Sequence, residues 1–179
     1  MSIRWERPGM NTNDRKTFVF DPSMNTNLNQ LNPAILNRRS FRSFKKETLS
    51  EEQVALLFEA ARWAPSSMNA QEWEYVYATS DNKEGFETLL SCLEPSNQSW
   101  AKNAPLLIIC TAAKNFDNGK PNKHAWHDAG LANSQLVIQA VSMGLFAHMM
   151  GGINYQATRE RLNIPASHDI LCGIAVGYQ

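Results

Sequence analysis

Arg38-Arg39-Ser40-Phe41-Arg42-Ser43-Phe44 and, further along, Ala64-Pro65-Ser66-Ser67-Met68-Asn69-Ala70-Gln71 are the two stretches on which the fold and function of this chain turn. The first gathers three guanidinium groups and a hydroxyl, those of Arg38, Arg39, Ser40 and Arg42, into one short turn. Such a set can surround a dianion with charge-assisted, often bidentate hydrogen bonds, each contributing about 1.5–3 kcal/mol where water is excluded. A phosphate monoester is its natural partner. In the second stretch Pro65 fixes the backbone, while Ser66, Ser67 and Asn69 can hydrogen-bond either the chain itself or a ligand edge. Gln71 is a weaker candidate for the same role, and Trp73 follows as a hydrophobic plug. A loop of this kind can read a flat heterocycle. Each stretch also has a plainer account. Arginines after the short apolar run Pro33-Ala34-Ile35-Leu36 suit a helix C-terminus, where the macrodipole favours cations, and Pro-Ser-Ser-x-Asn alone is an ordinary turn.

The combination goes further than either part. Arg-Arg-Ser-x-Arg-x-Phe, then Leu49-Ser50-x-Glu52-Gln53, then Ala60-Ala61-Arg62-Trp63-Ala64-Pro65-Ser66-Ser67-x-Asn69-x-Gln71 resembles the opening of the nitroreductase family of flavoproteins. Asn97-Gln98-Ser99-Trp100 before Ala104-Pro105 and an apolar strand is similar to the family's middle segment. Asp128-Ala129-Gly130-Leu131-Ala132 resembles the start of its central helix, and Met149-Met150-Gly151-Gly152 and Ile174-Ala175-Val176-Gly177-Tyr178 resemble its late landmarks. The likeness runs from about Asn32 to the last residue.

The resemblance implies an α+β, nitroreductase-like fold: a central, mostly antiparallel sheet flanked by helices, in an obligate homodimer. It also implies FMN in a cleft at the subunit interface. Arg38, Arg39, Ser40 and Arg42 of one subunit would hold the phosphate, and Pro65, Ser66, Ser67, Asn69 and Gln71 of the other would edge the ring. Asn97 would approach the pyrimidine edge. The backbone of Met149, Met150, Gly151 and Gly152 would lie near N5, where an N–H donor stabilises the charge that reduction creates and glycine permits close approach. Without the other motifs, a Gly-Gly pair before Asn154 is an ordinary turn. The implied activity is passage of electrons from NAD(P)H to a nitroaromatic, quinone or related acceptor by a ping-pong mechanism, the cofactor carrying the reaction while the protein orients and tunes it. Alternatives are a specialised flavin enzyme of the same fold, of the reductive dehalogenase or flavin-fragmenting type, and a non-catalytic flavin-binding or storage protein. The short connection Asn115–Lys123 argues against the lid that specialised members add. Members of the family usually continue past the last strand with a tail that brings further basic residues to the phosphate. The sequence ends at Gln179, leaving a shortened record, compensation by residues 1–31, or weaker cofactor binding as the readings.

Composition agrees with one domain. A chain of 179 residues, 43% hydrophobic and 19% charged, can bury a sizeable core. With 17 basic and 17 acidic residues it has no broad field for nucleic acid or an anionic membrane. Cys92, Cys110 and Cys172, an odd number set among apolar residues, read as reduced, buried thiols of a cytoplasmic protein, without metal-ligand spacing. No apolar run reaches the length of a transmembrane helix and the N-terminus lacks the apolar region of a signal peptide. Residues 1–31 read as an N-terminal extension, partly irregular, and residues 32–179 as the flavin-binding domain. Within the extension Phe18-Val19-Phe20 suggests a short extended patch and Met24 an alternative start.

Periodicity places the elements. Ser50-Glu51-Glu52-Gln53 is a capping box, and Val54, Leu57, Phe58 and Ala61 recur at helical spacing, so a helix over about 51–63 delivers the Pro65 loop at its end. Strands are expected at 74–79, 106–111, 146–149 and 170–178, and helices at 82–93, 128–143 and 155–162, with Gly144 ending the long one. Apolar residues on more than one face of 128–143 predict a helix buried nearly all round. In the cluster His124, Trp126, His127 and Asp128, two readings stand: Asp128 capping that helix, or a substrate-facing wall. Trp100 and Phe116 are either aromatic walls or core.

Overall fold

In the computed structural model residues 28–179 are described, so the readings of Phe18–Phe20 and Met24 lie outside the described residues. The chain divides into two compact units at Gln30/Leu31. Of the first unit only a 3-10 turn, Leu28–Gln30, is described. The second holds six α-helices, four strands and a 3-10 turn at Ser67–Asn69 among the described residues: α1 Pro33–Asn37, α2 Glu51–Arg62, β1 Trp73–Thr79, α3 Lys83–Ser91, α4 Pro95–Ala101, β2 Leu106–Ala113, α5 Ala125–Ser142, β3 Phe146–Met150, α6 Tyr155–Arg161 and β4 His168–Gly177.

The strands form one antiparallel sheet in the order β1-β2-β4-β3. β2 and β4 lie at its centre and are buried on both faces, which is why their sequences are almost continuously apolar. Alternate residues sort into two cores. Leu106, Ile108, Ala112, Ile174 and Val176 face α2 and α5, with Trp73 packed beside them. Leu107, Ile109, Ile170 and Ala175 face the side of Phe86, Leu89, Leu93 and Ala101, on and beside α3 and α4. At about 1.5–3 kcal/mol for each large apolar side chain taken from water, these two layers hold the sheet between its helices.

Local signals explain the helix ends. Ser50 Oγ accepts from the Gln53 N–H and Gln53 Oε1 accepts from the Ser50 N–H, a complete capping box that starts α2. Asn82 and Asn154 cap α3 and α6 in the same side-chain-to-backbone manner. α5 ends at Gly144, whose φ of 72° is the left-handed turn that glycine takes without a Cβ clash.

Three expectations are corrected. α5 begins at Ala125, not Asp128, because Asn122 Oδ1 accepts from the His124 N–H and turns the chain earlier. Asp128 therefore sits inside the first turn and does not cap it. Nor is α5 buried all round in the single chain. Ala125, Asp128, Ala129, Ala132, Asn133, Leu136, Val137 and Ala140 form one buried stripe, while Trp126, Gly130, Ser134 and Gln135 are exposed. Finally, all three thiols are free, and Cys92 and Cys110 are buried as expected, but Cys172 is partly exposed. No helix of the described residues is long and apolar enough to cross a membrane.

Candidate functional site

The arginine turn begins where α1 ends. The Arg38 N–H bonds back to the Ile35 carbonyl, and Arg39 Nη1 donates to the Leu36 and Arg38 carbonyls at 2.8 Å each. Arg39 thus performs the helix-capping role. Arg38 Nη1 donates to Ser40 Oγ at 3.1 Å. The Arg42 side chain is exposed and has no hydrogen-bond or ion-pair partner among the described residues. An exposed guanidinium, without a partner among the described residues, two positions after an arginine–serine pair leaves charged donors suited to a phosphate.

What holds the turn is the far edge of the sheet. His148 Nδ1 donates to the Phe41 carbonyl at 2.9 Å, and the Phe41 ring meets Phe146 edge-on at 4.7 Å. Trp100 packs on the other side of His148 at 4.7 Å and stacks with Phe44. The Lys45 N–H bonds to the Tyr178 carbonyl. Trp100 is therefore packing beneath the turn. Phe116 lies half-buried in the 115–123 connection.

Directly after β3 come Gly151 and Gly152. The Gly152 carbonyl accepts from the Glu94 N–H and from Asn97 Nδ2 at 3.0 Å, so Asn97 and the glycine pair are brought together and the Asn97 amide nitrogen is already engaged. A Cβ on Gly152 would come within 2.4 Å of that nitrogen, whereas a Cβ on Gly151 would meet nothing within 4 Å. Met149 is exposed and Met150 is buried under the sheet, which leaves only the backbone of Met150 for a ligand.

The Pro65 loop is built differently. The Gln71 N–H donates to Ser66 Oγ at 3.0 Å, Gln71 Nε2 donates to Asn69 Oδ1 at 3.0 Å, and the Asn69 N–H donates to the Ser66 carbonyl at 3.1 Å. Met68, Asn69 and Gln71 take φ values of 55°, 54° and 47°. Asparagine tolerates this region, but methionine and glutamine do not, and each such residue costs about 1–3 kcal/mol. Strain of this size persists where surrounding contacts over-determine it, and it clusters at functional sites. One such contact reaches across the fold: the Ser67 N–H donates to Asp128 Oδ2 at 2.7 Å.

Within one chain the loop and the helix that leads into the arginine turn attach at different ends of α5. The loop is fixed at the N-terminal end of α5 through Asp128. α1, from which the arginine turn follows, packs at the other end, where Val141 and Ser142 line the same groove as Pro33 and Asn37. Those ends are about 20 Å apart at the rise of an α-helix.

Sequence reasoning missed the residues that support the site. Asp128 was read either as a cap of its own helix or as part of a substrate-facing wall. His148 had no assigned partner. Glu72, between the loop and β1, is buried with its Oε2 unpaired among the described residues. Burial pushes the Glu72 carboxyl up, and the neighbouring Asp128 charge adds to this. Burial also acts upward on Asp128, but the hydrogen bonds from His127 and the Ser67 N–H outweigh it and hold that carboxyl below the usual range.

An antiparallel sheet between helical layers, with an arginine turn and a glycine pair along the β3 edge and a strained polar loop leading into the β1 edge, is an α+β architecture. The chain belongs to the nitroreductase family, whose family model matches residues 35–93 and 86–178. A solved structure described as an oxidoreductase containing FMN is 32% identical, with a TM-score of 0.78 over 95% of this chain and 82% of that one. An FMN-dependent nitroreductase from Clostridium difficile is 28% identical, with a TM-score of 0.68 over 82% of this chain and 86% of that one. The FMN reductase [NAD(P)H] of Bacillus subtilis is 26% identical over 171 residues, which is 84% of this chain. The match covers 66% of that relative's length.

Proposed function

We propose that this chain is an NAD(P)H-dependent, FMN-containing oxidoreductase that reduces a nitroaromatic, quinone or related acceptor, and that it works as a homodimer with cofactor sites at the interface. The observation that carries the reading is the exposed Arg42 guanidinium, without a partner among the described residues and two positions after the hydrogen-bonded Arg38–Ser40 pair, in a chain of this family. The residues present fit the cofactor: an arginine turn whose Arg42 has no competing partner among the described residues, an open position at Gly151 where a Cβ meets nothing, and a polar loop held in strain.

Arg38, Ser40 and Arg42 would hold the phosphate, with Arg39 bracing the turn from behind. The Pro65–Gln71 loop would edge the ring, offering the Ser66, Ser67 and Asn69 side chains. Asn97, whose amide nitrogen is tied to Gly152, would present its Oδ1, and the Gly151–Gly152 backbone would give the close approach that a side chain denies. Bound FMN supplies two-electron hydride chemistry at its N5. The protein's own part is to orient the ring, exclude water from it and direct backbone donors at the developing charge. NAD(P)H and the acceptor would then use one open face in turn, which is a ping-pong order. The attachment of the loop at one end of α5, and of α1, which leads into the turn, at the other end about 20 Å away at the helical rise, supports the homodimer: the half that one chain lacks at each site would be supplied by a second copy.

The test compares FMN with riboflavin. Arg42→Ala should weaken FMN binding by about 1.5–3 kcal/mol, roughly 10- to 150-fold, through loss of a charge-assisted bond to a dianion. Riboflavin, which lacks the phosphate, should be nearly unaffected. Lysine at the position should restore only part of the loss, because a point charge cannot reproduce the bidentate fork. An unaltered preference for FMN in Arg42→Ala would remove Arg42 from the site.

A further inference from the structure

Glu72 and Asp128 are 5% and 4% exposed, and carboxylates are almost never so buried unless paired. Their surroundings are unequal. Asp128 is well supplied: Oδ2 accepts from the Ser67 N–H at 2.7 Å and Oδ1 lies 2.8 Å from His127 Nδ1. Glu72 receives one donor, Asn122 Nδ2 on Oε1 at 2.9 Å, and its Oε2 is buried without a partner among the described residues. Asn122, which donates to Glu72, also turns the chain into α5, so both carboxyl groups lie at the same helix start, where each acts on the other's titration. Two buried carboxylates that interact in this way cannot both ionise, because their repulsion and desolvation together exceed the cost of keeping one proton. A proton on Glu72 turns the orphaned oxygen into a donor and settles both problems.

We propose that Glu72 and Asp128 share one proton, and that this buried acid pair is a positioning device that holds the strained Pro65–Gln71 loop against α5. The linkage runs from Asn122 to Glu72, from Glu72 to Asp128 and from Asp128 to the Ser67 N–H, and His127 is a further ionisable group at hydrogen-bond distance from Asp128. Glu72 also immediately follows the loop, so the pair fixes it from two points, Ser67 inside it and the backbone at its exit. Met68, Asn69 and Gln71 are thereby kept at positive φ.

The sign of the pH dependence follows from the two shifts. Glu72 is raised, so its contribution is complete below the ordinary carboxylate range and is lost as pH rises through its folded value. Asp128 is lowered, so its contribution is present above its ordinary value and is lost as pH falls through its folded value. Loop order is greatest between them and declines on the alkaline side when Glu72 ionises.

Hydrogen exchange of the Ser67 amide in the full chain reads loop order without reference to flavin. Its protection, taken against the unstructured rate at each pH, should fall as pH rises in the wild type. In Glu72→Gln, which carries a permanent donor, it should stay level. Asp128→Asn should lower protection roughly tenfold at every pH, as expected when a charge-assisted bond is weakened. Identical pH profiles for wild type and Glu72→Gln would overturn the shared proton. If Asp128→Asn does not fold, that pair of profiles decides alone. The functional consequence rests on the flavin reading above, and FMN affinity measured on the same samples separates the two. Affinity that tracks Ser67 protection supports both. Affinity that stays constant while protection changes supports the acid pair and removes the loop from the flavin site.

Discussion

Replacing Gly152 by alanine puts a methyl group where Asn97 now sits. An ideal Cβ there falls 2.4 Å from Asn97 Nδ2, 3.5 Å from its Cγ and 3.6 Å from Glu94 Cβ, so the amide must turn away and give up its bond to the Gly152 carbonyl. The lost bond costs about 0.5–1.5 kcal/mol and the displaced side chain about the same. Against this, alanine restricts the unfolded chain and returns about 0.4–1 kcal/mol. The φ of Gly152 is not in the left-handed region, so no backbone strain is added. The net expectation is a destabilisation of between about 0 and 2.6 kcal/mol, centred on about 1.3 kcal/mol. Gly151 is the internal control. Its Cβ would meet nothing within 4 Å, so Gly151→Ala should be neutral or stabilising by up to about 1 kcal/mol. The same methyl should nevertheless weaken FMN binding if the ring lies against that backbone. Urea unfolding midpoints at constant slope give the stabilities, and flavin fluorescence gives the affinities. Equal loss of stability in both variants would refute the reasoning, because a Cβ strikes Asn97 at Gly152 and nothing within 4 Å at Gly151.

Ser50→Ala removes the acceptor of the capping box and should cost about 0.5–2 kcal/mol in the same unfolding measurement, with Ser50→Asp close to wild type. Sedimentation should give twice the 20.2 kDa chain mass, and a stable monomer that still holds flavin would sink the interface site.

Where local chemistry decides the structure, the sequence was readable. The Ser50–Gln53 box, the recurrence of Val54, Leu57 and Ala61, the apolar run of β2 and the stop at Gly144 all stand as expected. The failures share a cause. Asp128 near the start of a helix looks like a cap, but its acceptor is spent on Ser67, 61 residues away in sequence, and no periodicity reveals a contact of that range. The left-handed backbone at Met68 and Gln71 was illegible because neither residue favours it; tertiary contacts impose it. The all-round burial expected of α5 came from counting apolar residues. Leu131, Ile138 and Val141 are indeed apolar, but they flank the buried stripe and are only half covered in a single chain. At the site, the arginine turn and the serine–asparagine loop were visible as motifs, whereas Glu72 and His148, which act through other residues, carried no signal of their own.

The separate attachment of the Pro65 loop and of the helix that leads into the arginine turn has a genetic consequence. In the proposed dimer each site takes its turn from one chain and its loop from the other, so a chain damaged at Arg42 and a chain damaged at Asn69 are not equivalent failures. Combined in one dimer, they concentrate both lesions in one site and leave the other whole. Two inactive alleles would therefore complement each other, while two lesions in the same motif would not.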